Sequence, residues 1–324
     1  MFGLSATKQT SQRSHSPATH DAFRDRFAVL TRVRTWLRAR ESSALGLLMV
    51  APALAAVGGL IAYPLAKGFQ TSIESSGQYG LKQRYVGLRN YRQVIDDSTA
   101  IDAIRHTAEY VLLAVSLELV LGIAVAVTLR QLFRGRGIVL AILVLPWALP
   151  SVVSGVLWRR VFDPDNGYLN SVLLNLHVIH EPHVWLAGGR WAIAFITVVH
   201  VWGVLPLVSL VFLAGLQSIP QELYSASSVD GAGGWRQFRH ITLPLLRPSM
   251  AIALTVGTLL AIAIFDEVYV LNGTALNTRS VLIQVYNTTF VEADFAHGTA
   301  LAFLLAGATA VLGSVYAVVL RRAR

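Results

Sequence analysis

The chain has 324 residues, 54% of them hydrophobic and 14% charged, with a mean hydropathy of +0.54 and a formal net charge of +9. Soluble domains carry about 25% charged residues, so this composition excludes an ordinary water-soluble domain and points to lipid as the solvent. There is no cysteine, which excludes disulfides, thiol catalysis and thiolate metal sites.

Residues 1–43 read as a basic cytoplasmic tail. Its first part, containing TKQTSQRSHSPATH, is too polar to bury a core. Phe23, Phe27, Leu30, Val33 and Leu37 then recur at helical spacing, interrupted by Arg26 and Arg34. A membrane-surface helix and a solvated basic anchor both fit that pattern. The charged stretch is too long for a signal peptide, and the apolar run behind it is long enough to span.

A crossing helix needs about 20 mostly apolar residues, because the bilayer core offers no water to bare backbone. Six windows qualify: 44–66, 107–129, 138–158, 191–216, 249–271 and 297–320. The first and third contain prolines (Pro52 and Pro64; Pro146 and Pro150), which kink such helices. The segments expected on one side are the N-terminal tail, the turn after the second window, the connection after the fourth and a short tail, 321–324. They hold 17 of the 27 Lys and Arg residues against 10 on the other side. The positive-inside rule then puts both termini in the cytoplasm. It also accounts for the net charge without a nucleic-acid partner.

Two loops face outward. The first, 67–106, carries YVGLRNY, a short aromatic strand-like piece before a helix-like one. The second, 159–190, carries DPDNG, whose turn signals are strong but whose spacing is not that of a calcium loop. Asn170 starts a short helix there.

Between the fourth and fifth windows stands a polar, glycine-broken segment, 220–244: PQELYSASSVDGAGGWRQFRHITLP. Pro220 suits a first helical turn and Glu222 its positive end. Asp230-Gly231 ends that helix at about Val229. A second begins near Gly234, carries Trp235, Phe238 and Ile241 as one apolar stripe, and stops at Leu243-Pro244. Two short helices are marginal alone in water. The stripe therefore packs on this protein's own cytoplasmic helix ends or on a partner.

Asp230-Gly231-Ala232, Phe238, Ile241, Leu243-Pro244 and Pro248 resemble the coupling motif of ABC-importer permeases, which reads E-A-A, then D-G-A, then F-x-x-I-x-L-P. YVGLRNY and LPWALPS extend the resemblance over most of the chain, to the maltose-type and glycerol-phosphate-type first permease subunits. It implies an all-α membrane protein with six transmembrane helices, the type I importer permease fold, and a coupling loop at 217–248 within a permease domain of 44–320. It implies a multi-pass protein of the bacterial cytoplasmic membrane that binds no cofactor itself. ATP and Mg would be bound by two partner ATP-binding cassette subunits. A second related permease subunit and an extracytoplasmic solute-binding (lipo)protein complete the expected assembly. Coupling is implied for Glu222, Tyr224, Ser225, Ala226, Ser227, Asp230, Gly231, Ala232, Trp235 and Phe238. One departure stands out. Ser225-Ala226-Ser227 occupies the E-A-A positions, so either a partner subunit supplies the missing carboxylate or Glu222, one turn earlier, does.

Polar groups inside spans are costly and face a cavity or another helix. Asp266 and Glu267 stand late in the fifth window beside Phe265 and Tyr269; His200 and Trp202 lie in the fourth; Trp147 and Ser151 flank the third window's prolines. The resemblance to maltose-type permeases puts sugar-contacting positions at Trp147, Ser151, His200, Leu207 and around Phe265 and Asp266. Leu207 departs from the aromatic expected there. Asp266 and Glu267 either line the pathway or stand solvated at the outer interface, and His200 either faces the pathway or bonds a neighbouring helix.

The expected function is half the translocation pathway of an importer for an oligosaccharide, disaccharide or related polyol, with a glycerol-phosphate-type or amino-bearing sugar as alternatives. No phosphate-binding G-x-x-x-x-G-K-[ST] and no H-E-x-x-H occurs, so neither ATP hydrolysis nor metalloenzyme chemistry is expected of the chain. An ion-coupled secondary transporter is the competing class. Asp266 and Glu267 fit it, but the coupling signature does not.

Overall fold

The computed structural model describes residues 48–75, 84–131 and 134–322. The basic tail and the helical spacing of 22–40 lie outside the described residues. The chain divides into two compact units, Met1–Ala66 and Lys67–Arg324. In chain order the helices are α1 (Leu48–Ser72), α2 (Arg89–Asp96), α3 (Ser98–Arg130), α4 (Arg136–Ala148), α5 (Ser151–Val161), α6 (Tyr168–Asn175) and α7 (Gly189–Gln217). There follow α8 (Gln221–Val229), α9 (Gly234–Leu245), α10 (Arg247–Ile262), α11 (Asp266–Asn272), α12 (Val281–Val291) and α13 (Phe295–Arg322). Among the described residues an isolated bridge between Glu74 and Tyr85 takes the place of a strand.

α1, α3, α7 and α13 are long and apolar enough to cross a membrane. Counting each of two bent pairs as one span raises the number to the expected six. The bends depart from the expected windows. The third window is not a kinked helix but two helices, α4 and α5, bent by 102°. Pro150 forbids helical geometry at Leu149, which sits at ψ 137. The fifth window is not continuous either: α10 ends at Ile262 and α11 restarts at Asp266. No glycine or proline marks that break.

The loop expected at 67–106 is shorter than that, because α1 runs to Ser72 and α3 begins at Ser98. Asn90, inside YVGLRNY, explains that motif: its amide donates to the carbonyls of both Ser72 and Glu74 at 2.8 Å. In the loop at 159–190 Asp163 accepts backbone N–H groups from Asp165 and Asn166, an Asx turn rather than a metal loop. Buried Asn170 lies inside α6, which begins at Tyr168, and ties the loop together through Pro164, His183 and Trp185.

The expected stop at Leu243-Pro244 does not occur, since α9 continues to Leu245. A π-turn over Phe238–Thr242 absorbs the proline: Leu243 N–H reaches back to Phe238 O. The same device precedes Pro64 in α1, where Tyr63 N–H bonds Gly58 O across a π-turn at Gly58–Ala62. In both helices the wider turn ends two residues before the ring and relieves its clash with the preceding turn.

α7 is the central element: 61% of its apolar window is buried, against 22% for α3 and 6% for α13. It packs along α3 from Tyr110, Ile193 and Ile196 at one end to Ala126, Val208 and Phe212 at the other. Gly122 permits this approach, because a β-carbon there would lie 2.9 Å from Val208 Cγ1 and 3.2 Å from the Phe212 ring. The opposite face of α3 shows Leu112 and Val120, both 68% exposed, as a lipid-facing side chain requires. Gly122→Leu is expected to lower stability by about 1–3 kcal/mol through overpacking. Gly307→Leu, where no atom lies within 4 Å, leaves it unchanged. Thermal unfolding of the detergent-purified chain reads both.

Candidate functional site

The two interrupted spans meet. Ser151, the first residue of α5 after one break, donates its hydroxyl to Asp266 Oδ2 at the start of α11 after the other. Below them Gly155 of α5 lies against Val270 of α11, with room for no β-carbon. The interruption of the fifth span is satisfied internally. Ile264 N–H bonds Ala261 O at 3.3 Å, and the freed Ile264 carbonyl accepts Ser280 Oγ at 2.9 Å. Non-helical backbone at membrane depth is tolerated where it finds such partners or lines a water-filled cavity.

The segment that carries Ser280 is held in turn by α3. Thr107 Oγ1 accepts the N–H of Val281, and Tyr110 donates to Thr278 O at 2.9 Å. Arg279, 9% exposed, bonds Thr274 O and Gln284 Oε1. Burial works against its charge, and Glu292 favours it.

Glu267 turns the other way, into α7, with His200 Nδ1 at 3.3 Å from Glu267 Oε1. On the far side of the same imidazole, Nε2 stands 3.9 Å from Glu118 Oε1 of α3. Glu118 is 1% exposed, and among the described residues neither of its carboxylate oxygens has a hydrogen-bond partner. Against it lies Gly257 of α10, a position where any side chain would collide with the carboxylate. An imidazole between two carboxylates thus links α3, α7 and α11 through a largely apolar core.

Aromatic rings gather beside this line. Phe265 and Tyr269 stack at 5.7 Å and 7°, and Tyr286 of α12 stands edge-on to both, at 5.8 and 5.6 Å. Tyr269 is 42% exposed, so this corner has an open side. Trp202 is held instead by Trp158, ring to ring at 5.7 Å. Of the expected positions, the structure brings together Ser151, His200, Phe265, Asp266, Glu267 and Tyr269. Trp147, 53% exposed at the end of α4, and partly buried Leu207, two turns beyond His200, lie outside that set of contacts. Sequence reasoning missed Glu118 and Tyr286. Glu118 had a signal, an acidic residue midway through the second apolar window; Tyr286 had none.

The polar connection forms a second surface. α8 ends in a Schellman turn: Ala232 N–H bonds Ser227 O, Gly231 N–H bonds Ser228 O, and Gly231 sits at φ +77. Gln237 of α9 reaches back across the turn to Ser227 and Ser228 hydroxyls at 3.0 and 2.9 Å. Tyr224 bonds Thr242 at 3.0 Å and lies under the Arg130 guanidinium at 4.2 Å, while Arg130 also bonds Gln221. The helical hairpin is therefore one body, fastened to the end of α3. Glu222, Ser225, Ala226 and Asp230 remain exposed on it, and Ala232 is half-buried. The expected stripe divides: Ile241 packs inward with Leu246 and Leu216, whereas Trp235 is 74% exposed and stacked on Phe238 at 5.6 Å.

A family model described as binding-protein-dependent transport system inner membrane component matches residues 118–324. The chain belongs to this family. It is a membrane-embedded permease component of an ABC importer. The permease is 35% identical over 270 residues to the trehalose/maltose transport system permease protein of Thermococcus litoralis, covering 83% of this chain and 90% of that one. It is 32% identical over 280 residues to the sulfoquinovosyl glycerol transport system permease protein of Agrobacterium fabrum, covering 86% and 90%. In fold it matches a chain from a crystal structure of a bacterial ABC transporter involved in the import of the acidic polysaccharide alginate. The TM-score is 0.76 at 21% identity, over 89% of this chain and 99% of that one. The permease thus has the all-α type I importer fold that its sequence implies.

Among the described residues no group of His, Asp and Glu has a metal-binding arrangement. Asp266 with Ser151 is a charge-assisted pair, and such bonds contribute about 1.5–3 kcal/mol. A double-mutant cycle of Ser151→Ala and Asp266→Ala, read by thermal unfolding, is expected to show a coupling energy of about that size. Purely additive losses would show that the two breaks are not tied through this bond.

Proposed function

We propose that this permease forms half of the translocation pathway of an ATP-driven importer for a sugar, an oligosaccharide, disaccharide or related polyol. The observation that carries the reading is the similarity to the trehalose/maltose permease over 83% of the chain. The geometry supports it: a corner of stacked aromatic rings with one open side lies beside a carboxylate and a hydroxyl at the broken spans. Rings cover the apolar C–H face of a sugar, and oxygens accept from its hydroxyls. On this reading Ser151, Asp266, Phe265, Tyr269 and Tyr286 contact substrate. His200 and Glu267 hold α11 in place, and Trp202 packs behind them. Trp147 and Leu207 serve the pathway at positions away from this corner.

Energy enters through the helical hairpin. Two partner ATPase subunits bind ATP and Mg, a second related permease supplies the other half of the path, and an extracytoplasmic solute-binding (lipo)protein delivers substrate. Both termini and the hairpin then face the cytoplasm. The exposed residues Glu222, Ser225, Ala226 and Asp230 meet an ATPase subunit. Tyr224, Ser227 and Ala232 keep the hairpin rigid, so that displacement of α8 is passed to α3 through Arg130 and Tyr224 and to α10 through α9. Glu222, exposed in the first turn of α8, is placed to supply the carboxylate that Ser225 lacks.

Gly231→Val puts a β-branched residue at φ +77, a conformation such residues rarely adopt. In the assembled transporter it is expected to abolish substrate-stimulated ATP hydrolysis and uptake together. Gly234→Ala, which meets nothing within 4 Å, leaves both intact. In reconstituted vesicles, uptake of trehalose or maltose is expected to stop on ATP depletion and to persist with a proton uncoupler. The opposite pattern would establish an ion-coupled transporter. Asp266→Asn and Glu267→Gln should both reduce sugar uptake; if the carboxylates favour an amino-bearing sugar, the loss is larger for that substrate than for a neutral one.

A further inference from the structure

Trp235 is left unexplained by the inward packing of the hairpin. It is 74% exposed, and its ring stacks on that of Phe238. Around it lies a groove of about 520 Å³ at the elbow between α9 and α10, lined by Trp235, Phe238, Arg239, Leu243, Pro244 and Arg247, with Met250 at its end. Arg239 and Arg247 are exposed. No acidic residue occurs anywhere between Gly231 and Phe265, so the groove has aromatic, aliphatic and cationic walls and no counter-charge of its own in sequence.

The elbow fixes where this groove stands. α10 is the apolar start of the fifth span, and α9 leaves it at 66°. A helix at that angle to a crossing helix lies nearer the membrane plane than the membrane normal. Tryptophan and arginine on such a helix occupy the headgroup level, where the indole is half in hydrocarbon and the guanidinium meets phosphate. Basic pockets between helix ends at a membrane surface bind anionic lipid headgroups.

We propose that this groove is a binding site for an anionic phospholipid, its phosphate between Arg239 and Arg247 and an acyl chain along Leu243, Pro244 and Met250, with Trp235 and Phe238 closing the headgroup side. The site anchors the elbow through which the hairpin is joined to the fifth span. Trp235 and Phe238 thereby serve the membrane surface rather than an ATPase surface. The leaflet concerned is the cytoplasmic one if the orientation proposed above holds, but the site itself does not depend on it.

The test is quenching of tryptophan fluorescence in proteoliposomes of the full chain, doped in both leaflets with brominated phosphatidylglycerol or brominated phosphatidylcholine. The Trp235 component is taken as the difference from Trp235→Phe. It is expected to be quenched selectively by the anionic lipid. Arg239→Gln and Arg247→Gln should each weaken that preference by about fivefold. Arg236→Gln, on the same helix but outside the groove, should leave the preference unchanged. Equal quenching by both lipids, or selectivity that survives the double substitution, overturns the proposal. So does a Trp235 component that neither lipid quenches and that changes only on adding the ATPase subunits, which would assign the residue to a protein surface. Because both leaflets carry the probe, a negative result leaves the importer reading and its orientation untouched.

Discussion

Backbone groups inside a bilayer must find their partners within the protein or at a water-filled cavity, and this permease interrupts two of its spans. Everything about the candidate site follows from how those interruptions are closed. The break at Leu149-Pro150 frees Ser151, and the break at 263–265 frees Asp266; the two close on each other. The carbonyl left over, that of Ile264, is taken by Ser280, which arrives from a segment pinned by Thr107, Tyr110 and Arg279. This end of the second unit is thus a set of mutually dependent polar contacts rather than a row of independent helices.

Glu118, His200 and Glu267 extend that dependence into the core. Charged groups in an apolar interior are retained where they pair or where they act. Glu267 is paired through His200. Glu118 holds the far side of the imidazole at a distance longer than a hydrogen bond, with Gly257 making the space for it. The arrangement joins α3, α7 and α11, which also meet through the apolar side chains of Tyr110, Ile196 and Val268. A displacement of α7 or α3 is therefore felt at α11, beside the aromatic corner.

The helical hairpin solves a different problem. Two short helices exposed to water have little reason to hold one geometry. Here the glycine turn, the Gln237 bridge and the Tyr224–Thr242 bond make them one body, and Arg130 fastens that body to α3. The π-turn lets α9 pass its proline and bend at Leu246 instead. Its joint to the rest of the second unit lies where α9 meets α10.

The sequence by itself determined the lipid solvent, the number of spans, the family and the two-helix plan of 220–244. Each of these follows from local signals: apolar run length, Lys and Arg placement, proline and glycine positions, and one long motif. It also marked Ser151, His200, Asp266 and Glu267 as the polar groups to watch. It did not show the break at 263–265, because the residues AIAIFDEV read as apolar helix running into acid and the partner that permits the break, Ser280, stands far along the chain. It set Trp235 in the same stripe as Ile241, because spacing cannot tell which side of a helix a neighbour will cover. Glu118, visible as a lone acid in an apolar window, acquired meaning only when α7 and α10 placed an imidazole and a glycine against it. Helix periods are written in neighbouring residues; the partners of buried polar groups are written across the whole fold, and only the tertiary structure decided them.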